Sequence, residues 1–244
     1  MAATKNHNQG VRVPSDTPQT APTCPVGENQ CNIIDELINS RETIEALNEQ
    51  LQTDSLTQLG NYRQFCQIID KEMERTQRTG QPTAMILVDL DFFKKVNDNW
   101  GHEVGNLALV QTAKLLKTAI RKLDIPCRYG GEEFIVILPS TDLLTGTQVA
   151  ERLRALIADT PLEFETEAGA QSIQLTASMG IDIYTHTHHE TREEFVARVD
   201  SLLYEAKHGG RNQVKAGVRQ DMQPTANVSA DEKDALFGIF GDEE

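Results

Sequence analysis

The sequence predicts an α+β domain: a β-sheet with helices packed on it, preceded by a stalk helix. Three observations carry this. Ala84–Asp89 (AMILVD) is a continuous apolar run ending in an acid, the pattern of a buried central strand. Ile125–Tyr129 and Glu133–Leu138 read as two strands joined by a tight turn at Gly130-Gly131. Amphipathic helical stretches separate and flank these strands, so hairpins and helical crossovers are mixed. No GxGxxG follows the first strand and no GxxxxGK[ST] occurs, which removes dinucleotide-binding and P-loop folds.

Residues 1–30 hold Asn, Gln, Thr, Pro and Gly with few large apolar side chains, and are predicted to be a disordered tail. Residues 31–53 form the stalk. Ile33, Leu37, Ser40, Ile44, Leu47 and Leu51 step by alternating fours and threes, a heptad seam with one polar interruption. So short a helix is marginal alone. It fits a parallel two-stranded coiled coil, or a helix packed on its own domain. The globular domain spans 54–218. Asp54–Thr57 reads as a helix start or turn. Asn61–Thr79 is helical, with Phe65, Ile68, Ile69 and Met73 on one face, and Gly80-Gln81-Pro82 breaks it. Phe92–Asp98 is a short helix. Val104–Leu123 is a long one, with Leu107, Val110, Leu115, Leu116 and Ile120 as core candidates. Leu144–Ala158 is helical, Ile173–Tyr184 alternates like a strand, and Arg192–Lys207 is a final helix stopped by Gly209-Gly210. Residues 219–244 are an acidic tail carrying an apolar knot at Leu236, Phe237, Ile239 and Phe240, either a flap or a docking peptide.

The net charge of -14 opposes general nucleic-acid binding, which needs clustered Lys and Arg. It leaves nucleotide chemistry open, because divalent cations can sit between carboxylates and phosphates. Cys24, Cys31, Cys66 and Cys127 form no C-x-x-C pair and read as free thiols. No apolar run is long enough to span a membrane and no secretory signal is evident, so a cytoplasmic protein is expected. His186, His188 and His189 have no metal-ligand spacing and read as a loop; Trp100 is expected beside the Gly101-His102 turn.

The chemistry concentrates at two places. Asp89 ends an apolar strand, and Asp91 follows two residues later, on the same side if the strand continues. Glu132 and Glu133 follow two glycines that allow a left-handed backbone and close approach of a ligand. Adjacent strands would bring Asp89 and Glu132 within metal-bridging distance, and two Mg²⁺ ions there could lower the pKa of an attacking hydroxyl and stabilise the leaving phosphate oxygen. A solvated hairpin is the alternative that spacing alone leaves open.

The motifs around these residues resemble the GGDEF family of diguanylate cyclases. Arg128-Tyr129-Gly130-Gly131-Glu132-Glu133-Phe134 is similar to its signature in the GGEEF variant. Asp54-Ser55-Leu56-Thr57 with Leu59, Asn61 and Arg63 resembles the family's opening. Asp89 through Lys94, Asn97-Asp98, Gly101-His102 and Gly105 resemble its D-x-D-x-F-K-x-x-N-D-x-x-G-H-x-x-G run. Thr176, Ser178 and Gly180, then Asp200 through Arg211-Asn212, fit its closing segments.

The resemblance implies the palm-like sheet of nucleotidyl cyclases and condensation of two GTP into cyclic di-GMP in a homodimer. It implies Mg²⁺ (or Mn²⁺) held by Asp89, the Leu90 carbonyl, Glu132 and Glu133. Glu132 and Lys94 would be catalytic, Glu132 assisting deprotonation of the attacking 3′-hydroxyl. Lys94, Lys207 and Arg211 would contact the triphosphate, with Asn97, His102 and Asn106 around the guanine. Asn106 departs from the family's usual Asp and offers one carbonyl acceptor plus an NH₂ donor, weakening the charge assistance to guanine. Arg121 and Asp124 resemble the family's R-x-x-D inhibitory site for product, which Arg152 would complete; a helix-end ion pair is the alternative. A regulatory protein is expected on the stalk or the acidic tail. The competing function is a non-catalytic cyclic di-GMP receptor using Arg121 and Asp124 alone.

Overall fold

The computed structural model describes residues 36–41, 43, 52–167 and 169–217. Two units, Met1–Gln50 and Leu51–Glu244, divide the chain. In the first, residues 36–41 and 43 are helical, with Leu37 and Ile38 exposed. The rest of the heptad seam up to Leu51, Cys24, Cys31 and the Phe237–Phe240 knot lie outside the described residues.

In the second unit the elements are α1 (Tyr62–Thr79), β1 (Thr83–Leu90), α2 (Phe93–Ala119), β2 (Ile125–Gly130), β3 (Glu133–Leu138), α3 (Leu143–Asp159), β4 (Leu162–Thr166), β5 (Gly169–Ile173), β6 (Ala177–Tyr184), α4 (Arg192–His208) and β7 (Val214–Ala216). The main sheet has the order β2-β3-β1-β6-β7. β1 pairs antiparallel with both β3 and β6, and β7 joins β6 in parallel. β1 is buried at every position, which is why its sequence is unbroken apolar up to Asp89.

Alternation along the strands sorts the core into two layers. Ala84, Ile86, Val88, Phe134, Val136, Met179 and Ile181 pack with Ala108, Leu109 and Leu116 of α2 and Leu153 and Ile157 of α3. Met85, Leu87, Ile135 and Ile137 pack with Phe65, Ile69 and Met73 of α1 and Phe195, Val199 and Leu203 of α4. A Cβ at Gly180 would run into the Val199 carbonyl and the Leu203 amide, so this glycine lets α4 lie against β6. Asn61 caps α1 by accepting from the Gln64 N–H at 3.1 Å, and Thr191 with Glu194 forms a capping box on α4.

The two helices expected around Gly101 are present, as two arms of α2 that meet at a kink there (φ 82, ψ 166). Two other expectations change. The inward face of the second arm is Val104, Ala108, Leu109, Ala113 and Leu116, whereas Leu107 is 47% exposed. Leu107 lies on the opposite side of the helix from that face and stays outside it. Ile173–Tyr184 is not one strand, because 174–176 interrupt it. Its start belongs to a separate two-stranded β4-β5 hairpin, which the sequence pattern does not reveal, nor does it reveal β7. Trp100 meets the Phe164 ring of that hairpin edge-on, with centroids 5.2 Å apart.

The turn at Asp54–Thr57 is bound to the signature hairpin. Asp54 Oδ1 accepts from the Thr57 N–H (2.8 Å) and hydroxyl (2.6 Å), and Arg128 bridges both Asp54 oxygens at 3.2 Å. Burial works to raise the Asp54 pKa, but the Thr57 hydrogen bonds and the Arg128 charge outweigh it, and the carboxyl sits below its usual range. Such a depressed group contributes stability above its unfolded value near 3.8 that is lost as pH falls through the lower folded value. Asp54→Asn is therefore expected to lower the unfolding free energy at pH 7 by about 1–2 kcal/mol for lost charge-assisted bonds, read as a lower denaturation midpoint. The gap from wild type should close as chemical denaturation is repeated at pH values below that range.

Candidate functional site

The site lies where β1 ends beside the β2-β3 turn. Strand register places Asp89 opposite Glu133 on the same face of the sheet. The turn is made at Gly131 (φ 49), whose left-handed backbone suits glycine, after a bulge between Arg128 and Gly130. Arg128 holds the turn by donating from Nε (3.1 Å) and Nη2 (2.8 Å) to the Gly131 carbonyl while gripping Asp54. The Leu90 N–H reaches the Glu132 carbonyl at 3.4 Å, so the strand end and the turn share a backbone contact.

Asp89 is buried at 7% exposure, with the Lys207 ammonium 2.8 Å from its Oδ2. Burial raises the Asp89 pKa; the Lys207 hydrogen bond and charge oppose the rise, and the charges of Glu132 and Asp91 add to it. Glu133 is also raised, by burial first and then by Asp89, with Lys207 opposing and Asp200 and Glu132 contributing further. Negative charge is thus concentrated here beyond what one lysine offsets.

Among the described residues no group of three or more His, Cys, Asp or Glu is placed to hold a metal ion by itself. The arrangement instead offers clustered carboxylates, with the Leu90 main chain between them and a cation already drawn to Asp89. Such an open donor set fits Mg²⁺, which keeps several ligand positions for water and phosphate oxygens.

The other expected site residues lie on α2 and on the loop after α4. Lys94 is exposed on the first turn of α2. Asn97, on the first arm, and Asn106, on the second, flank the Gly101 kink. The arms close on each other at Gly105, where a Cβ would overlap Asn97 Oδ1. Asn97 is half-buried, and His102 and Asn106 are exposed. Arg211 stacks on the Phe92 ring, its guanidinium carbon 4.5 Å from the centroid.

Asp91 does not share the metal-facing position that a continued strand would give it. β1 stops at Leu90 and the Asp91 carboxylate turns to Thr176, Ser178 and Asn212. Sequence reasoning misses this network, the Arg128 clamp and the Phe92–Arg211 stack. The alternate Thr176 and Ser178 of the T-x-S-x-G match are the signal that could have located the first.

The Arg121, Asp124 and Arg152 group is also assembled. Asp124 is buried at 8% exposure and Oδ2 accepts from the Arg121 N–H at 2.8 Å. Burial raises its pKa; that N–H and the charges of Arg121 and Arg152 oppose the rise. Arg152 donates to the Ala119 carbonyl, at 2.6 Å from Nη2. The bond between Arg121 and Asp124 is thus a backbone staple of the turn, and both arginine side chains stay exposed. His186 and His189 are exposed, while His188 Nδ1 accepts from the Thr185 N–H at 3.0 Å. Cys66 and Cys127 are free thiols; burial, then Cys66, pushes Cys127 up to about 12. Among the described residues no helix is long and apolar enough to cross a membrane.

Residues 51–213 match the family described as diguanylate cyclase, GGDEF domain. The response regulator PleD of Caulobacter vibrioides is 40% identical over 162 residues, covering 66% of this chain and 35% of PleD. Diguanylate cyclase A of Treponema denticola is 32% identical over 190 residues, covering 77% of this chain and 49% of that protein. The chain therefore spans about a third to a half of these relatives. Among solved structures, diguanylate cyclase SiaD of Pseudomonas aeruginosa, in complex with its activator SiaC, aligns with TM-score 0.66 and 35% identity, covering 76% of this chain and 70% of SiaD. The coiled coil and GGDEF domain of DgcB from Caulobacter crescentus, in complex with c-di-GMP, aligns with TM-score 0.70 and 26% identity, covering 76% of this chain and 96% of that one.

The raised Asp89 pKa yields a prediction for stability. The folded state holds the Asp89 proton more tightly than the unfolded chain, so this group's contribution is full below pH 3.8 and is lost as pH rises through the folded value. At pH 7 and without divalent cations, Asp89→Asn is expected to raise Tm, because it removes a buried charge that the Lys207 ammonium only partly offsets. Mg²⁺ should raise the wild-type Tm and leave that of the Asp89→Asn variant nearly unmoved. Differential scanning calorimetry with and without Mg²⁺ checks both.

Proposed function

Because the chain belongs to the GGDEF family of diguanylate cyclases, we propose that it condenses two GTP into one cyclic di-GMP with release of two pyrophosphates. The observation that carries this reading is the buried Asp89, in register with Glu133, beside the Glu132 turn and salt-bridged to Lys207. It is a charge-rich open site that a magnesium-bound triphosphate would complete.

Asp89, Glu132, Glu133 and the Leu90 carbonyl would hold the metal. When bound, the divalent cation supplies neutralisation of phosphate charge and favours ionisation of the attacking hydroxyl. Glu132 takes the proton from the 3′-hydroxyl of one GTP. That oxygen forms a bond to the α-phosphorus of the other GTP as the bond from that phosphorus to the bridging oxygen breaks. Two such events close the ring and release two pyrophosphates. Lys94, Lys207 and Arg211 offset the charge that builds on the phosphates. Asn97 and Asn106, on the two arms of α2, accept from the guanine edge with His102 beside them. Asn106 binds without a full charge, and GTP stays preferred over ATP.

One domain binds one GTP, so the reaction needs two domains facing each other, with proximity supplying much of the rate. The heptad pattern in 31–53 supports a coiled coil that raises their local concentration. SiaD is a cyclase seen with a protein activator. By analogy, a regulatory protein acts here on the stalk or the acidic tail. Arg121, Asp124 and Arg152 support a product-binding site, since two exposed guanidinium groups flank a buried carboxylate. Bound cyclic di-GMP would then inhibit the enzyme.

Purified protein with GTP and Mg²⁺ is expected to yield cyclic di-GMP and pyrophosphate, resolved by chromatography. Glu132→Ala should reduce the rate by about 10³-fold, the scale of losing a group that acts at the reacting centre. Tight binding of cyclic di-GMP without turnover, even with an activating partner, would favour a receptor instead. Arg121→Ala is expected to retain turnover while raising the inhibitory product concentration by about tenfold or more, as one charge-assisted contact is lost. Progress curves with added cyclic di-GMP measure this.

A further inference from the structure

Asp91 is 6% exposed and sits one residue past the end of β1. Its carboxylate is filled by neutral donors from two other segments. Oδ2 accepts from the Thr176 hydroxyl at 2.7 Å and from the Asn212 N–H at 3.0 Å, and Oδ1 accepts from the Ser178 hydroxyl at 2.7 Å. The Asp91 N–H in turn donates to the Thr176 carbonyl at 2.8 Å. A buried carboxylate is held by such hydrogen bonds and is costly to leave unsatisfied.

The Asn212 contact matters most, because of the backbone it holds. Gly210, Arg211 and Asn212 follow α4 with φ of 117, 64 and 43, three consecutive left-handed residues. Two of them carry side chains, for which this region is unfavourable. The surrounding structure must therefore hold the loop in place. The Arg211 N–H donates to the Ala206 carbonyl at 3.1 Å, and Asn212 Oδ1 accepts from Arg154 at 2.9 Å. The bond from the Asn212 N–H to Asp91 ties the loop's main chain to the end of β1. The Arg211 guanidinium then rests 4.5 Å from the ring of Phe92, the residue next to Asp91 and itself left-handed at φ 56. Asp91 thus grips the main chain just after Arg211, and its neighbour supports the Arg211 side chain.

We infer that Asp91 is a positioning residue that sets Arg211 at a fixed place relative to Asp89, so that triphosphate and metal carboxylate are met in one preorganised geometry. This rests on the proposed role of Arg211 as a triphosphate contact. The Asp91 carboxylate is taken up by its three donors; its part is played through the 209–213 loop. Replacing the carboxylate by an amide keeps the size but removes the charge: its oxygen can still accept from Thr176 and Asn212 and its NH₂ donate to the Ser178 hydroxyl, so neutral bonds replace charge-assisted ones. The hold on the left-handed loop is then weakened, and Arg211 is fixed less firmly.

The test uses the full chain and a GTP analogue with a non-hydrolysable α–β bridge, titrated calorimetrically with Mg²⁺, so that no activator is needed. Asp91→Asn is expected to weaken binding about tenfold, the scale of one charge-assisted contact. Arg211→Ala should do the same, and the double variant should be no weaker than Arg211→Ala alone within about twofold, because both act through one contact. Hydrogen exchange of the 208–214 peptide should be faster in Asp91→Asn than in wild type at equal pH, while β3 peptides are unchanged. Effects that multiply in the double variant, or unchanged exchange at 208–214, would overturn the inference. Unchanged analogue binding by Arg211→Ala would remove the triphosphate role of Arg211 and the inference with it. The exchange result would still report separately whether Asp91 holds the loop. Should Asp91→Asn fold poorly, Ser178→Ala removes one donor to the same carboxylate and is expected to loosen the same peptide to a smaller degree; no change there would count against the network.

Discussion

A carboxylate enclosed at the end of a buried strand, and held beside a lysine and further acids, is the constraint on which the rest of this structure depends. Asp89 lies on a strand enclosed by both layers of helices, with Lys207 its ion-pair partner. Burial alone would neutralise such a group. The fold answers with a lysine from α4, and the remaining charge makes the site receptive to a cation. Each surrounding element serves this arrangement. β3 supplies the facing acid, the Gly131 turn brings Glu132 to the strand end, and α4 delivers the lysine.

The supporting interactions are mostly polar and lie just outside this centre. Arg128 joins the Asp54 turn to the Gly131 carbonyl, so the start of the domain and the tip of the hairpin are tied together. Asp91 joins the end of β1 to β6 and to the loop after α4. The Gly101 kink divides α2 into two arms, and the missing side chain at Gly105 lets Asn97 approach the second arm. These are specific couplings that apolar burial alone would not impose, since packing tolerates repacking more readily than a hydrogen-bonded network does.

The site and the proposed regulatory features stand on different grounds. The geometry at Asp89 comes from one domain, which on the proposed reaction supplies one half-site. On the proposed reaction, joining two GTP requires a second domain, and control of that encounter falls to 31–53 and 219–244. A preorganised half-site then leaves the rate to be governed by how two copies are brought face to face.

Much of this is legible from residue order. The unbroken apolar run into Asp89 announces a central strand because such a strand is buried on both faces. The two glycines of the signature announce a turn because glycine takes φ 49 without strain. The fold class and family follow from those patterns. Other features lie beyond local pattern. Leu107 reads as core because it is large and apolar, but the helix turns Val104, Ala108, Leu109 and Leu116 inward and leaves Leu107 on the opposite side. The β4-β5 hairpin and β7 are short, and strand preference over a few residues is weak until pairing decides it. Asp91 reads as a twin of Asp89, but the strand ends one residue before it. Sequence by itself determined which residues are chemically able to act, because side-chain type and periodicity are local properties. Tertiary structure decided which of two neighbouring acids faces the site and which holds a loop, because that choice is set by donors 85 to 121 residues away in the chain.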